Sequence, residues 1–509
     1  MNIEFTRHCD LTEVALVVGV WEGETSPAGA PVGGESNLVE LFLQHQYERG
    51  LFTGKLGETV VLPMTVDAGL KTIVLVGLGR ASELTPLQCE AIGGAATERL
   101  SKLFERKALF NIDFAASGTM PIEVSSGHLA LGIKLRNYSY DKWKTDSGRQ
   151  RATTLSEVIV ISEEANRSAA YYQHRSGLVD GIHLARDLVN EPPNSLNPDT
   201  FAAALAGLED DGVVIRSVCE DELKSMGLSA ILAVGQSSMF SPRLVILEWN
   251  GGRPGDAPVA LVGKGITFDT GGLAIKPIEH MKTMKGDMAG AASVAGAIHA
   301  LARARVKVNA VGVLALAENC ISGTAYRPSD VIRTARGDTI EICHTDAEGR
   351  LALLDAMWFV TRQYSPASLV SIGTLGGSGL FGLGLKYGAL YTENDVMRDG
   401  MLKSASESGD LLWQLPVYDE MDEQLQSSDI ADVIQVPDFF TWGADSGYVY
   451  KLLKPSVETR YWAHVEMCRL EFAMKDRSTC PKGATGWGVR LLAEYSAEFA
   501  PAKKLSPAA

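Results

Sequence analysis

Three charged residues alternate in HTDAEGR, residues 344–350: Asp346, Glu348 and Arg350. In extended backbone the side-chain period is two, so this spacing would point all three groups the same way. The run that follows, RLALLDAMWFV, puts Leu351, Leu354, Ala356 and Phe359 roughly on one face of a helix. Two carboxylates and a guanidinium are therefore expected at a strand-to-helix junction. A second stretch, GKGITFDTGGLAIKPIEHMKTMKGDMAGAASV (263–294), sets Lys264 and Asp269 where an apolar strand runs into a Gly-Gly turn. Lys276 follows in the loop, and Asp287 precedes a helix of small residues that can approach a sheet closely. Singly, each has a plain structural explanation: a lysine with a buried stem, a turn aspartate, an acidic group at a helix start. Together they do not. Asp269, Asp287, Asp346 and Glu348 all fall at the ends of apolar strands, where repulsion and desolvation would be severe without cations.

Four carboxylates can hold two divalent ions, and oxygen donors suit zinc, manganese, magnesium or cobalt better than soft metals. Lys264 could complete one site if the field of the metal removes its proton. No histidine is required, since His280, His299, His344 and His464 show no HxxxH spacing. A two-metal site suits hydrolysis, one ion polarising a carbonyl while both hold and acidify water. Arg350 and an uncoordinated Lys276 could then stabilise an oxyanion. What is missing is a general base, because every carboxylate of the cluster is committed to metal.

The elements that must position these residues point to an α/β fold of two domains, the minimum expected for 509 residues. The first 150 residues alternate strand-like runs (LTEVALVVGVW, ETVVLPM, KTIVLVGLG, ALFNIDFA, TTLSEVIVIS just beyond) with helical ones. A helix from about 164 to 189, closed by Pro192 and Pro193, reads as a bridge. The expected organisation is a smaller N-terminal α/β domain (1–163), a bridging helix and linker (164–195), and a larger C-terminal catalytic α/β domain (196–509). In the latter, GVVIRSV, AILAVGQ, RLVILEW, VALVGKGITF, NAVGVLALAEN, DTIEICHT and ASLVSIGTLG are strand candidates. Crossovers long enough for helices favour a mixed, mainly parallel sheet, with ligands beyond the carboxyl ends of its strands.

Composition narrows the class. The chain is 46% hydrophobic and 21% charged, with a net charge of −15 from 62 acidic and 47 basic residues, which argues against a nucleic-acid surface. The opening MNIEFTRHCDLTEV has no basic stretch leading into an apolar one, and no apolar run reaches membrane-spanning length. Seven scattered cysteines without a CxxC pair indicate a reduced, cytoplasmic compartment. The glycines of LVGLGR and LVGKGITFDTGG match neither GxGxxG nor GxxxxGK[ST].

VGKGITFDTGG, MKGDMAGAA and HTDAEGR closely resemble the signatures of the cytosolic leucyl aminopeptidase family of metallopeptidases, with RDLVNEPPNSLNP and GATGWGVRLL as further landmarks. The likeness covers roughly 165–495. It implies that Lys264, Asp269, Asp287, Asp346 and Glu348 hold two divalent ions (Zn2+ or Mn2+, with Mg2+ and Co2+ as alternatives), Asp269 and Glu348 bridging and the Asp346 carbonyl contributing. It implies that Lys276 holds the developing gem-diolate oxygen and that Arg350 binds a bicarbonate ion acting as general base. The substrates would be short peptides with a free N-terminus, and the assembly a homohexamer, a dimer of trimers. Three departures stand out. His344 replaces an Asn; TLTGA becomes TLGGS (374–378); and HLDIAG becomes HVEMCR (464–469). A glycine-rich segment expected after DIADV is replaced by IQVPDFFTWGADSGYVY, so that aromatic-rich 439–453 is a candidate altered interface or pocket wall, with core packing as an equal alternative.

Other readings stay open at this point. A catalytically silent paralogue would more typically have lost a ligand. A DNA-binding role would need a basic groove on the assembly, and a dipeptidase-like preference is a narrower enzymatic alternative.

Overall fold

A computed structural model of the chain describes residues 1–9, 14–28, 36–66, 69–145, 155–437 and 445–499. They divide into two units, Met1–Val179 with Ala473–Gly483, and Asp180–Phe472 with the residues from Ala484 onward. The division in sequence lies inside the long helix Ala165–Asn190, where a helix was expected at 164–189. Residues 11–13, 153–154 and 439–444, included in the sequence predictions, lie outside the described residues. The rest of the 439–453 segment is the helix Asp445–Leu453, buried throughout.

The first unit contains β1 (Asn2–Thr6), β2 (Ala15–Trp21), β3 (Thr59–Val66), β4 (Gly69–Gly79), β5 (Lys107–Asn111) and β6 (Glu157–Ile161). They form one sheet in the order β1-β6-β5-β2-β4-β3, parallel except for the edge hairpin β3–β4. β2 lies between two neighbours with both faces covered, so it reads as a continuous apolar run rather than an alternation. Val17 packs with Ile92, Phe110 and Leu129 on one face, Leu16 and Val18 with Val39 and Leu43 on the other. Two elements escaped the periodicity. β1 is a short, partly exposed edge strand. Helix Ile122–Arg136 is buried from Ser125 to Ile133 and so shows no polar face.

The second unit carries β7 (Val214–Val218), β8 (Arg243–Asn250), β9 (Val259–Asp269), β10 (Asn309–Asn319), β11 (Val331–Arg333), β12 (Thr339–Glu341), β13 (Ser368–Gly373), β14 (Gly388–Tyr391), β15 (Leu412–Gln414), β16 (Val433–Ile434) and β17 (Trp462–Glu466). Eight of them make a mixed sheet, β15-β14-β17-β13-β9-β10-β8-β7. Its centre, β17-β13-β9-β10, is parallel; β8 and β14 pair antiparallel with its two edges, and β7 pairs antiparallel with β8. The carboxyl ends of these four central strands carry Glu466, Gly373 running into Thr374, Asp269 and Asn319. A polar arc therefore closes the most apolar part of the sheet.

Two expectations need correction. AILAVGQ is not a strand but the helix Ser229–Gly235. A short apolar run fits either element; here Asp355 Oδ2 accepts the N–H groups of Ala230 and Ile231 at 2.8 and 2.9 Å, satisfying donors that a helix start leaves free. Nor are Asp346, Glu348 and Arg350 aligned by extended backbone: residues 345–346 form a turn, and helix Glu348–Tyr364 already includes the other two. All seven cysteines are free thiols. Among the described residues no helix is long and apolar enough to cross a membrane.

Helix Ala289–Arg303 packs on β9 and β13 through its small residues, as the sequence suggested. A Cβ added at Gly263 would meet the Ala291 backbone at 2.6 Å, and one at Gly290 would press on the Ile372 carbonyl and lie 3.0 Å from the Lys264 backbone nitrogen. Gly290→Ala is therefore expected to cost about 1–3 kcal/mol by overpacking. It should lower the urea midpoint; an unchanged midpoint would mean that this helix is not held at glycine distance.

Candidate metal centre

The turn after β9 begins the site. Gly271 and Gly272 have φ of 85° and 61°, a left-handed pair that reverses the chain immediately beyond Asp269. A Cβ on Gly271 would lie 2.8 Å from Asp346 Oδ1. The reversed loop is fastened by Thr345, whose Oγ1 donates to the Gly271 carbonyl (2.7 Å) and accepts from the Ala274 N–H (2.8 Å). Lys276 is thereby delivered to the carboxylates. Its Nζ lies 2.8 Å from Asp269 Oδ2 and 2.6 Å from Asp346 Oδ1.

Lys264 enters from within β9, and its stem fits because its neighbours are glycines: a Cβ on Gly373 would lie 2.9 Å from its own Cβ. Its Nζ is 2.8 Å from Asp287, 2.8 Å from Glu348 Oε1, and donates to the Thr374 carbonyl at 2.8 Å. Oxygens of Asp269, Asp346 and Glu348 lie within 4.8 Å of one another, and Asp287 joins this trio through Lys264. Six of the seven residues singled out in the sequence thus meet. Arg350 stands apart. It is buried, its Nη1 donates to the Gln435 carbonyl at 3.1 Å, and its Nε finds no acceptor.

The electrostatics follow from burying four carboxylates with two ammonium groups. Burial, then Glu348, raises Asp269, and burial holds Asp287 well above the usual carboxylate range. Asp346 is pushed up to about 7 by burial and by Asp269 and Glu348. Glu348 goes the other way: burial would raise it, but Lys264 and Lys276 together lower it. Burial alone would also strip Lys264, yet Asp287, Glu348 and Asp269 keep its proton on.

Several functional neighbours lay outside the sequence reading. Asn319 donates from Nδ2 to Asp269 Oδ1 (2.8 Å) and to the Thr345 carbonyl (3.0 Å), and Thr374 Oγ1 donates to Asp287 (2.7 Å). Each ends or follows an apolar strand next to β9, and that shared position was the available signal. The departure at His344 is conservative in effect: its Nδ1 accepts the Asp346 N–H at 3.3 Å, a turn bond of the kind Asn makes. Burial, then Arg350 and Lys276, lowers its pKa, favouring the neutral ring that such acceptance needs.

The donor set is hard, oxygen-rich and internally strained in charge. Buried Glu348 Oε2 has no hydrogen-bond partner, an oxygen that a cation would satisfy. These residues fit divalent metal.

Comparison with known proteins agrees. Residues 183–493 match the catalytic domain of the cytosol aminopeptidase family, and residues 17–147 match its N-terminal domain. The chain belongs to the cytosol aminopeptidase family. This makes it a metallo-aminopeptidase, a hydrolase. It is 37% identical over 444 residues to a probable cytosol aminopeptidase of Chelativorans sp. (strain BNC1), covering 87% of this chain and 88% of that one. A probable cytosol aminopeptidase of Ehrlichia ruminantium (strain Welgevonden) is 35% identical over 497 residues, 96% of each chain. Among solved structures, the bottromycin maturation enzyme BotP in complex with Mn superposes with a TM-score of 0.81 at 30% identity, covering 96% of this chain and 99% of that one.

A site whose carboxyls are pushed upward must release protons to bind a cation. Mn2+ titrated into the chelator-stripped enzyme should therefore release protons near pH 7, where Asp346 titrates. Since raised pKa values leave carboxyls protonated as pH falls, apparent affinity should weaken below pH 7. Calorimetry in buffers of different ionisation enthalpy measures this; a heat independent of buffer would contradict it.

Proposed function

We propose that the chain removes the N-terminal residue from short peptides, with two divalent ions held by Lys264, Asp269, Asp287, Asp346 and Glu348. The observation that carries this is the convergence of four carboxylates on two lysines, with one buried carboxylate oxygen left over. When bound, the ions would polarise the scissile carbonyl, acidify a water and receive the free α-amino group. The manganese named for the BotP complex supports manganese as one of them.

The other groups act around that centre. Lys276 is the cation on its more open side, with 15% of its side chain exposed against 4% for Lys264. That exposure supports Lys276 as the group that holds charge developing on the carbonyl oxygen. Asn319 and Thr374 fix the orientations of Asp269 and Asp287. For Lys264 to act as a ligand it must lose the proton that Asp287, Glu348 and Asp269 now retain, so its coordination depends on metal replacing it as their counter-charge. The resemblance also implies bicarbonate at Arg350. That guanidinium lies in the field of Asp445, Glu348 and Glu466, and the amides of Leu375 and Gly376 already carry the Glu466 carboxylate.

Activity should appear on peptides with a free N-terminus and vanish on N-blocked ones, with metal content measured on the same sample. Cleavage of blocked peptides would overturn the exopeptidase reading. In that assay Lys276→Met should lose about 10²–10³ in kcat with KM much less changed, and near-wild-type kcat would end its role. The homohexamer, carried by family membership, predicts a particle of six chains by light scattering; a stable monomer at micromolar concentration refutes it.

A further inference from the structure

The departures from the family pattern are not scattered. Glu466 is the last residue of β17, paired in register with Gly373, and lies where the family has an aspartate. Its carboxylate accepts the N–H groups of Leu375 (3.0 and 3.1 Å), Gly376 (2.8 Å) and Cys468 (3.4 Å). The next amide, Gly377, donates to Asp445 Oδ2 at 2.6 Å. Gly376 stands where the family has threonine, and a Cβ there would come within 2.8 Å of Asp445 and crowd Ser446 still more closely. The loss of that side chain and the arrival of Asp445 therefore go together.

Successive backbone N–H groups converging on one point form a nest for an anion. Loop 375–377, leaving β13 beside Thr374 and the metal centre, is such a nest, and Arg350 adds the fixed positive charge. In this chain the amides are already taken. Glu466 accepts them, while the Arg350 guanidinium lies in the field of Asp445, Glu348 and Glu466 with its Nε unsatisfied.

We propose that Glu466 is the resident carboxylate of this cradle and takes the place of a dissociable bicarbonate, so that catalysis here does not draw on the free ion. The inference rests on the metallo-aminopeptidase reading for its catalytic meaning, but the occupancy of the cradle can be tested without it. Burial, with Asp445 beside it, pushes the Glu466 carboxyl up to about 8 against the pull of the amides. Glu466 is assigned as a positioning residue of the anion cradle.

Three measurements test it. The metal-loaded wild-type enzyme is assayed in buffer freed of carbon dioxide, with and without added bicarbonate; the expected rate is the same in both. The metal-free protein is followed by thermal unfolding with bicarbonate or formate, and no anion-specific stabilisation is expected. Glu466→Ala should open the cradle, losing about 10²-fold or more in rate and regaining part of it with bicarbonate or formate. The same anions should stabilise that variant without metal. Glu466→Asp restores the family's shorter side chain and should make activity depend on bicarbonate, which keeps the test alive if the alanine variant does not fold. Wild-type activity that disappears without bicarbonate and returns with it overturns the proposal while leaving the aminopeptidase reading intact. Absence of peptide hydrolysis by fully loaded wild type would instead sink that reading, and the metal-free anion titration would still decide the cradle. Folded variants that gain no response to either anion also overturn the proposal.

Discussion

Everything in the second unit is arranged around one electrostatic constraint: four carboxylates are held nearly out of water with two lysines to balance them. Removing such an ion from water costs several kcal/mol even after relaxation. Opposite charges about 4 Å apart return about 4 kcal/mol at an effective dielectric near 20. The two terms are of the same order, so each lysine–carboxylate contact must be close and well directed. That requirement explains the glycines. Gly263 and Gly290 bring a helix down onto β9, Gly373 admits the Lys264 stem, and Gly271 and Gly272 turn Lys276 back onto Asp269. With two positive charges against four negative, the balance remains incomplete, and incomplete balance is what gives the site its appetite for cations.

Much of this could be read from the sequence, and the reasons differ by element. β9, β10 and β13 were visible because strands covered on both faces become continuous apolar runs, and Asp269 stood out as the charge that ends one. The small-residue helix was visible because nothing else explains so many alanines and glycines beside a buried strand. Helix Ile122–Arg136 was not visible, because complete burial erases the polar face on which a periodicity argument depends. AILAVGQ failed for another reason: its conformation is decided by Asp355, more than a hundred residues away along the chain. Long-range caps leave no local trace. The alternation of Asp346, Glu348 and Arg350 led to the right residues through the wrong geometry, since a turn and a helix start bring Glu348 to Asp346 and leave Arg350 facing Gln435.

The departures near the carboxyl end show what local motif comparison misses. TLGGS and HVEMCR lie far apart in sequence, yet Leu375 and Gly376 donate to Glu466, and Gly379 is so close to Cys468 that a Cβ there would overlap its sulfur. Arg469, where the family has glycine, keeps a left-handed backbone with φ of 66°. A non-glycine residue pays a steric penalty there. The residues that depart from the family pattern on this side of the site therefore touch one another, although they come from separate stretches of the chain.

Buried carboxylates here are compensated in two ways. Glu466 is held by the N–H groups of Leu375, Gly376 and Cys468, and Asp410, likewise buried, by those of Gly488 and Leu491. Backbone amides are fixed in the chain and cannot leave, so a carboxylate compensated by them is permanently occupied. Glu348 and Asp287 are compensated instead by the Lys264 ammonium, which sits on a flexible stem and can give up its proton. A carboxylate of this second kind can exchange its partner for a metal ion without unfolding a loop, and Asp287 and Glu348, which share Lys264, both meet that condition. Asp269 combines the two, accepting the Gly271 N–H at one oxygen and meeting Lys276 at the other.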